Sequence, residues 1–143
     1  NEKTSQAGNV RLNDDRLNAV YQHYIHLTTA LTNSDVAEAK AAANAIEAGA
    51  GELQNGGAIA ASASKITAAS AIDAQRAAYE DLSMQMMERV KNTGIQSGEV
   101  FVQHCPMAFN DKGASWLSTS KEIRNPYFGE KMLTCGETKE TIK

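Results

Sequence analysis

The sequence predicts a mainly α protein: an up-down antiparallel bundle of about four helices, with a small C-terminal cap containing one or two short strands. Three observations lead there. Of the chain's 23 alanines, 21 precede Gly94, and a core built from such small side chains needs closely packed helices. The large apolar residues before Gly94 recur in steps of three and four, the period of one helix face. Both prolines, both cysteines, the single tryptophan and all three phenylalanines follow Gly94, so that segment carries different structure and the unusual chemistry. At 143 residues the chain has the length of one domain with its own core. The expected parts are a polar, frayed stretch over 1–12, the bundle over 13–93 and a cysteine- and methionine-bearing cap over 99–143.

The first helix is expected over 14–32, where Leu17, Val20, Tyr24, Leu27 and Leu31 form one face. Asn13, Asp14 and Asp15 suit its start, because carboxylates are favoured at the positive end of the helix dipole. Asn33-Ser34 breaks the pattern. Asp35 then caps a second helix, with Glu38 three residues on in a capping-box arrangement. Its face is Val36, Ala39, Ala43, Ile46, Ala50 and Leu53, and Asn55-Gly56-Gly57 ends it as a turn. Residues 59–70 read as a third helix with Ile59 and Ile66 as its large apolar side chains. A continuous helix over 58–92 and a break near Ser70 fit the pattern equally. The last helix runs to about Asn92 with Tyr79, Leu82, Met86 and Val90 inward, and Gly94 stands where a glycine stop belongs. In the cap, residues 99–104 are rich in strand formers, and residues 127–134 are the candidate second strand.

Charge and motif content exclude several functions. Fourteen basic against seventeen acidic residues give −3 and a pI near 5.6, with no basic stripe for nucleic acid. No apolar run approaches the ~20 residues of a transmembrane helix. The chain begins at Asn1 with a polar stretch, which reads as a mature or trimmed chain whose export signal, and any membrane anchor in it, has been removed. There is no Gly-x-Ser-x-Gly elbow, no phosphate-cradling glycine loop and no haem attachment site. His104 adjoins Cys105, and strand neighbours point to opposite faces, so it is badly placed to activate that thiol. A non-enzymatic role is expected.

The chemistry concentrates in His104-Cys105-Pro106-Met107 and Met132-Leu133-Thr134-Cys135-Gly136. Thiolate, thioether and imidazole are the ligands that Cu(I) selects. Pro106 holds Cys105 extended, and Gly136 lets the chain turn directly after Cys135. Gly113, Trp116, Asn125-Pro126 and Gly129 read as tight turns with an aromatic plug, a loop able to bring the two clusters together. Spacing alone leaves three readings open: a disulfide, a metal site or inert thiols. A disulfide closing a loop of this size would stabilise the fold by roughly 3–4 kcal/mol in the chain-entropy model. Met84 and Met87 are candidate auxiliary thioethers beside the inward Met86, with packing against the cap as their simpler role. His23 and His26, three residues apart, read as exposed histidines, with a surface metal pair as the alternative.

His104-Cys105-Pro106-Met107-Ala108, Gly113-Ala114-Ser115-Trp116-Leu117-Ser118, Ile123-Arg124-Asn125-Pro126-Tyr127-Phe128-Gly129 and Lys131-Met132-Leu133-Thr134-Cys135-Gly136 resemble an uncharacterised, Bacteroidetes-type exported domain of unknown function. That domain occurs alone or fused to periplasmic adaptor subunits of copper and silver efflux pumps. The likeness is close over 100–137 and looser over the helices. Cys105-Pro106-Met107 is also similar to a short heavy-metal-binding module that continues with His, where this chain has Ala108. The resemblance implies a periplasmic or exported, non-catalytic module that binds or relays Cu(I) or Ag(I) through Cys105, Cys135, Met107, Met132 and His104, partnered by an efflux adaptor or another efflux component. The alternative is a disulfide-stapled interaction domain that docks on an adaptor and holds no metal.

Overall fold

Side-chain spacing and capping build the helical half. The computed structural model describes residues 10–143. Asp14 accepts hydrogen bonds from the backbone N–H groups of Arg16 and Leu17 and starts helix α1 (Asp15–Thr32). Its apolar stripe, Leu17, Val20, Tyr24, Leu27 and Leu31, is entirely buried. Asp35 caps α2 (Val36–Ala50) by accepting from the Glu38 N–H at 3.0 Å. The reciprocal half of that capping box is replaced, since the Glu38 carboxylate lies 2.7 Å from His26 Nε2 on α1. Helix α3 (Gly57–Ala68) and helix α4 (Ile72–Thr93) are separate, which settles the two readings of that stretch in favour of a break. Tyr79, Leu82, Met86 and Val90 of α4 are fully buried, and α4 stops at Gly94, whose φ of +87° suits glycine. Each helix packs chiefly on the next in sequence.

The remainder corrects the expected fold class. The described residues hold five strands in two small antiparallel sheets, so the protein is mixed α/β and not a mainly α bundle with one or two strands. Strand β1 (Arg11–Leu12) pairs with β2 (Ile95–Ser97). A second sheet has the order β4-β3-β5, built from β3 (Val100–Cys105), β4 (Ala114–Ser118) and β5 (Glu137–Ile142). Between β3 and β4 lies one helical turn, α5 (Ala108–Asp111), in which Phe109, Asn110 and Asp111 all have positive φ.

Three local expectations fall with the fold class. Residues 10–12 are not frayed, because Val10 and Leu12 are buried in the core; residues 1–9 of the expected frayed stretch lie outside the described residues. Residues 127–134 are not a strand. They form successive turns, with Asn125 Oδ1 accepting from the Tyr127 N–H and a 3-10 turn over Gly129–Lys131. The partners of β3 are Ala114–Ser118, expected to lie among tight turns, and Glu137–Ile142, to which no element was assigned.

One core joins helices and sheet. At its centre the Tyr24 hydroxyl accepts from the Leu117 N–H of β4 at 3.0 Å and from the Tyr79 hydroxyl of α4 at 3.0 Å. With both lone pairs engaged, it donates its own proton to Ser83 Oγ, 2.7 Å away on α4. The Tyr24 and Tyr79 rings stack at 5.4 Å, and Tyr79 meets Tyr127 edge-on at 5.5 Å. A second tie is Arg76 of α4. It donates to the carbonyls of Pro126 and Leu31, each at 2.7 Å, and to Ser34 Oγ at 3.1 Å.

Three consequences for stability arise from these contacts. Tyr24→Phe leaves the Leu117 N–H buried without an acceptor and should cost about 1–3 kcal/mol in urea unfolding. Tyr21→Phe should be neutral or stabilising by the same measurement, because the buried Tyr21 hydroxyl has no hydrogen-bond partner. Burial raises the pKa of Tyr21, Tyr24, Tyr79 and Tyr127. In the unfolded chain tyrosines ionise near pH ~10. Their contribution is therefore complete below that pH and is lost as pH rises above it, so unfolding midpoints should fall steadily in alkaline buffer.

Candidate functional site

Cys105 is the last residue of β3 and is fully buried. Pro106, without an N–H, ends the strand there. Cys135 lies just before β5 in a part-exposed loop. The two sulfurs are 3.1 Å apart although 30 residues separate them.

Several groups hold Cys135 in place. Asn125, fully buried, donates from Nδ2 to the Cys135 carbonyl at 2.8 Å. Its own N–H donates to the Leu133 carbonyl at 2.7 Å, and its carbonyl accepts from the Gly129 N–H. Gly136 has φ +139°, and a Cβ there would lie 2.9 Å from the His104 carbonyl oxygen and 3.2 Å from the Trp116 ring. Only glycine lets this chain pass close enough to β3 for the sulfurs to meet.

The methionines next to the cysteines join the site through their backbones. The Cys135 N–H donates to the Met132 carbonyl at 3.1 Å. The Met107 N–H donates to the Cys135 sulfur. The Met107 side chain is 46% exposed, which leaves its thioether free to rotate, and Met132 is half-buried. The Cys135 thiol is raised above its ordinary pKa, first by the hydrogen bond it shares with Cys105, then by burial and by the Cys105 charge; the Met107 N–H acts in the opposite direction. The site can join its sulfurs by oxidation, and as thiolates the pair would offer the soft donors that Cu(I) selects once the sulfurs move apart.

Other sequence candidates stand elsewhere. His104 shares a hydrogen bond with Ser115 Oγ on β4 through Nδ1 at 2.8 Å. Strand alternation turns it to the face opposite Cys105. Met84, 53% exposed, and Met87 line a shallow depression on α4 with Lys91, and neither cysteine belongs to it. His26 is engaged by Glu38, which accounts for it without a metal pair with His23. No cluster of three or more His, Cys, Asp or Glu is placed to hold a metal among the described residues. A groove of about 920 Å³ lies between α4 and the α5 turn, lined by Arg76, Met107, Phe109, Tyr127, Phe128 and Lys131 among others.

The sequence reading missed Asn125 as the organiser of the Cys135 loop, since Asn-Pro signals a turn without saying whose carbonyl the amide will bind. Gly136→Ala should push Cys135 away from β3 and destabilise the protein by about 1–3 kcal/mol. Air oxidation of the variant, followed by thiol titration, should give slower Cys105–Cys135 disulfide formation than in the native chain.

No curated protein and no solved structure matches the chain. No helix among the described residues is long and apolar enough to cross a membrane. A family match covers residues 20–98, from within α1 through all of the later long helices to just after β2, more than half of the chain. The match rests on the helical part, and residues 100–137, which carried the resemblance, lie beyond it. On that match the chain belongs to the family described as Protein of unknown function (DUF3347).

Proposed function

We propose that this protein is a non-catalytic module that binds or relays a soft monovalent cation, Cu(I) or Ag(I), between Cys105 and Cys135. The supporting observation is the meeting of those sulfurs at 3.1 Å with Met107 and Met132 both hydrogen-bonded through their backbones to Cys135. Thiolates supply most of the affinity for a soft cation, and the thioethers add donors that do not compete for protons. Rotation of the exposed Met107 side chain toward the sulfurs supplies a third ligand. His104 serves as a support of the strand pair, bound to Ser115.

The resemblance to exported domains fused to efflux adaptors supports the finer reading. The module works outside the cytoplasm, in the periplasm, and passes its ion to or from an adaptor or another component of a copper-type efflux system. A second reading is favoured by one observation: among the described residues, no imidazole or carboxylate is assembled with the sulfur pair. In that reading Cys105 and Cys135 form a structural staple and the protein is an interaction domain docking on the adaptor.

Titration of the reduced protein with Cu(I) against a competing chelator distinguishes these. The metal reading expects one Cu(I) per chain, lost in the Cys105→Ser, Cys135→Ser double variant. An affinity equal in native and double-variant protein overturns it. Because thiols must lose their protons to bind, and Cys135 is raised, the apparent affinity should climb as pH increases and each binding event should release protons to the buffer.

A further inference from the structure

We infer that the sulfur pair is also a thiol–disulfide couple that gates the metal site, with Cys135 the sulfur that enters exchange and Cys105 the one that completes it. What is gated rests on the Cu(I) reading above; the order of attack rests on geometry.

The two thiols differ in access. Cys105 is fully buried at the end of the central strand β3, whereas Cys135 is part-exposed on a loop. A disulfide-bearing reactant arriving from solvent therefore meets Cys135 first. Cys105 then stands 3.1 Å from the sulfur it must attack. The Asn125 bond to the Cys135 carbonyl and the Gly136 approach to His104 keep the loop in that position.

The Cys135 thiolate attacks one sulfur of an external disulfide, forming a mixed disulfide and expelling one thiolate. The Cys105 thiolate then attacks Cys135 Sγ, forming the Cys105–Cys135 bond and expelling the second thiolate. Two electrons pass from the cysteine pair to the external disulfide, and the two protons given up by the cysteines end on the released thiols or in solvent. The oxidised pair has no thiolate left for Cu(I), and the remaining thioethers are too weak to retain it. Reduction by an external dithiol reverses both bonds and reopens the site.

The test begins with native reduced protein and limiting iodoacetamide. Peptide mapping should find Cys135 alkylated at least about tenfold faster than Cys105. Glutathione disulfide should then convert native protein to the internal disulfide with release of both glutathione thiols. Cys105→Ser should stop at a mixed disulfide on Cys135, and Cys135→Ser should resist glutathionylation. Cu(I) titration of reduced and oxidised native protein completes the set. Binding by the reduced form only, with Cys135 reacting first, is the expected result. Equal alkylation of the two cysteines, or Cu(I) binding that survives oxidation, overturns the gate while leaving the metal reading standing. Ordered exchange with no Cu(I) binding by the reduced form overturns the metal reading, and with it the gate, while the exchange order stands.

Discussion

The hydroxyl of Tyr24 is the point on which the two halves of this molecule depend. It is fully buried, and it accepts a backbone N–H from β4 and a hydroxyl from α4 while donating to a second α4 side chain. A polar group in such a place is costly unless every lone pair and proton is used. Here all are used, and in being used they fix α1, α4 and the sheet relative to one another. The stacked and edge-on rings of Tyr24, Tyr79, Tyr127 and Trp116 continue the same joint toward the cap. Apolar burial alone would let the sheet slide on the helices; the hydrogen bonds admit one register.

That joint bears on the sulfur site. Trp116 is on β4 one residue before Leu117, the residue bonded to Tyr24, and its ring lies against the chain at Gly136. Tyr127 donates its hydroxyl proton to the Ser115 carbonyl at 2.6 Å, next to the histidine-bound Ser115 side chain. The cysteines therefore meet on a rigid support, with only the Cys135 loop and the Met107 side chain at the surface. In the proposed role, that division would let the buried sulfur keep the position while the outer one controls entry.

The long helices could be read from the sequence because each buries one stripe and begins at a residue whose chemistry caps it, as Asp14 and Asp35 do. The sheet could not. β5 is a polar edge strand, largely exposed along its length, so Glu137, Lys139 and Thr141 carry no hydrophobic alternation. β4 is five residues long between Gly113 and a Ser-Thr-Ser run, and turn signals outweighed its Trp116-Leu117 pair. Tyr127 and Phe128 have strand propensity, but Asn125 ties the segment into turns and Tyr127 is drawn into the aromatic cluster. Within the site, the meeting of Cys105 and Cys135 was legible from Pro106 and Gly136, which dictate how the chain leaves each sulfur. The turning away of His104 was legible from strand alternation; the role of Asn125 was not, because it depends on a tertiary contact.

Arg76 has a mechanical consequence. Its one guanidinium clasps the Pro126 carbonyl on one side and Leu31 and Ser34 on the other. Pro126 follows Asn125, the residue whose amide holds the Cys135 carbonyl. Arg76 thus ties the loop that carries Cys135 to the corner between the first two helices, more than ninety positions earlier in the chain. Ser34 at that corner lines the same groove as Met107, so the helix corner and the sulfur site open onto one surface.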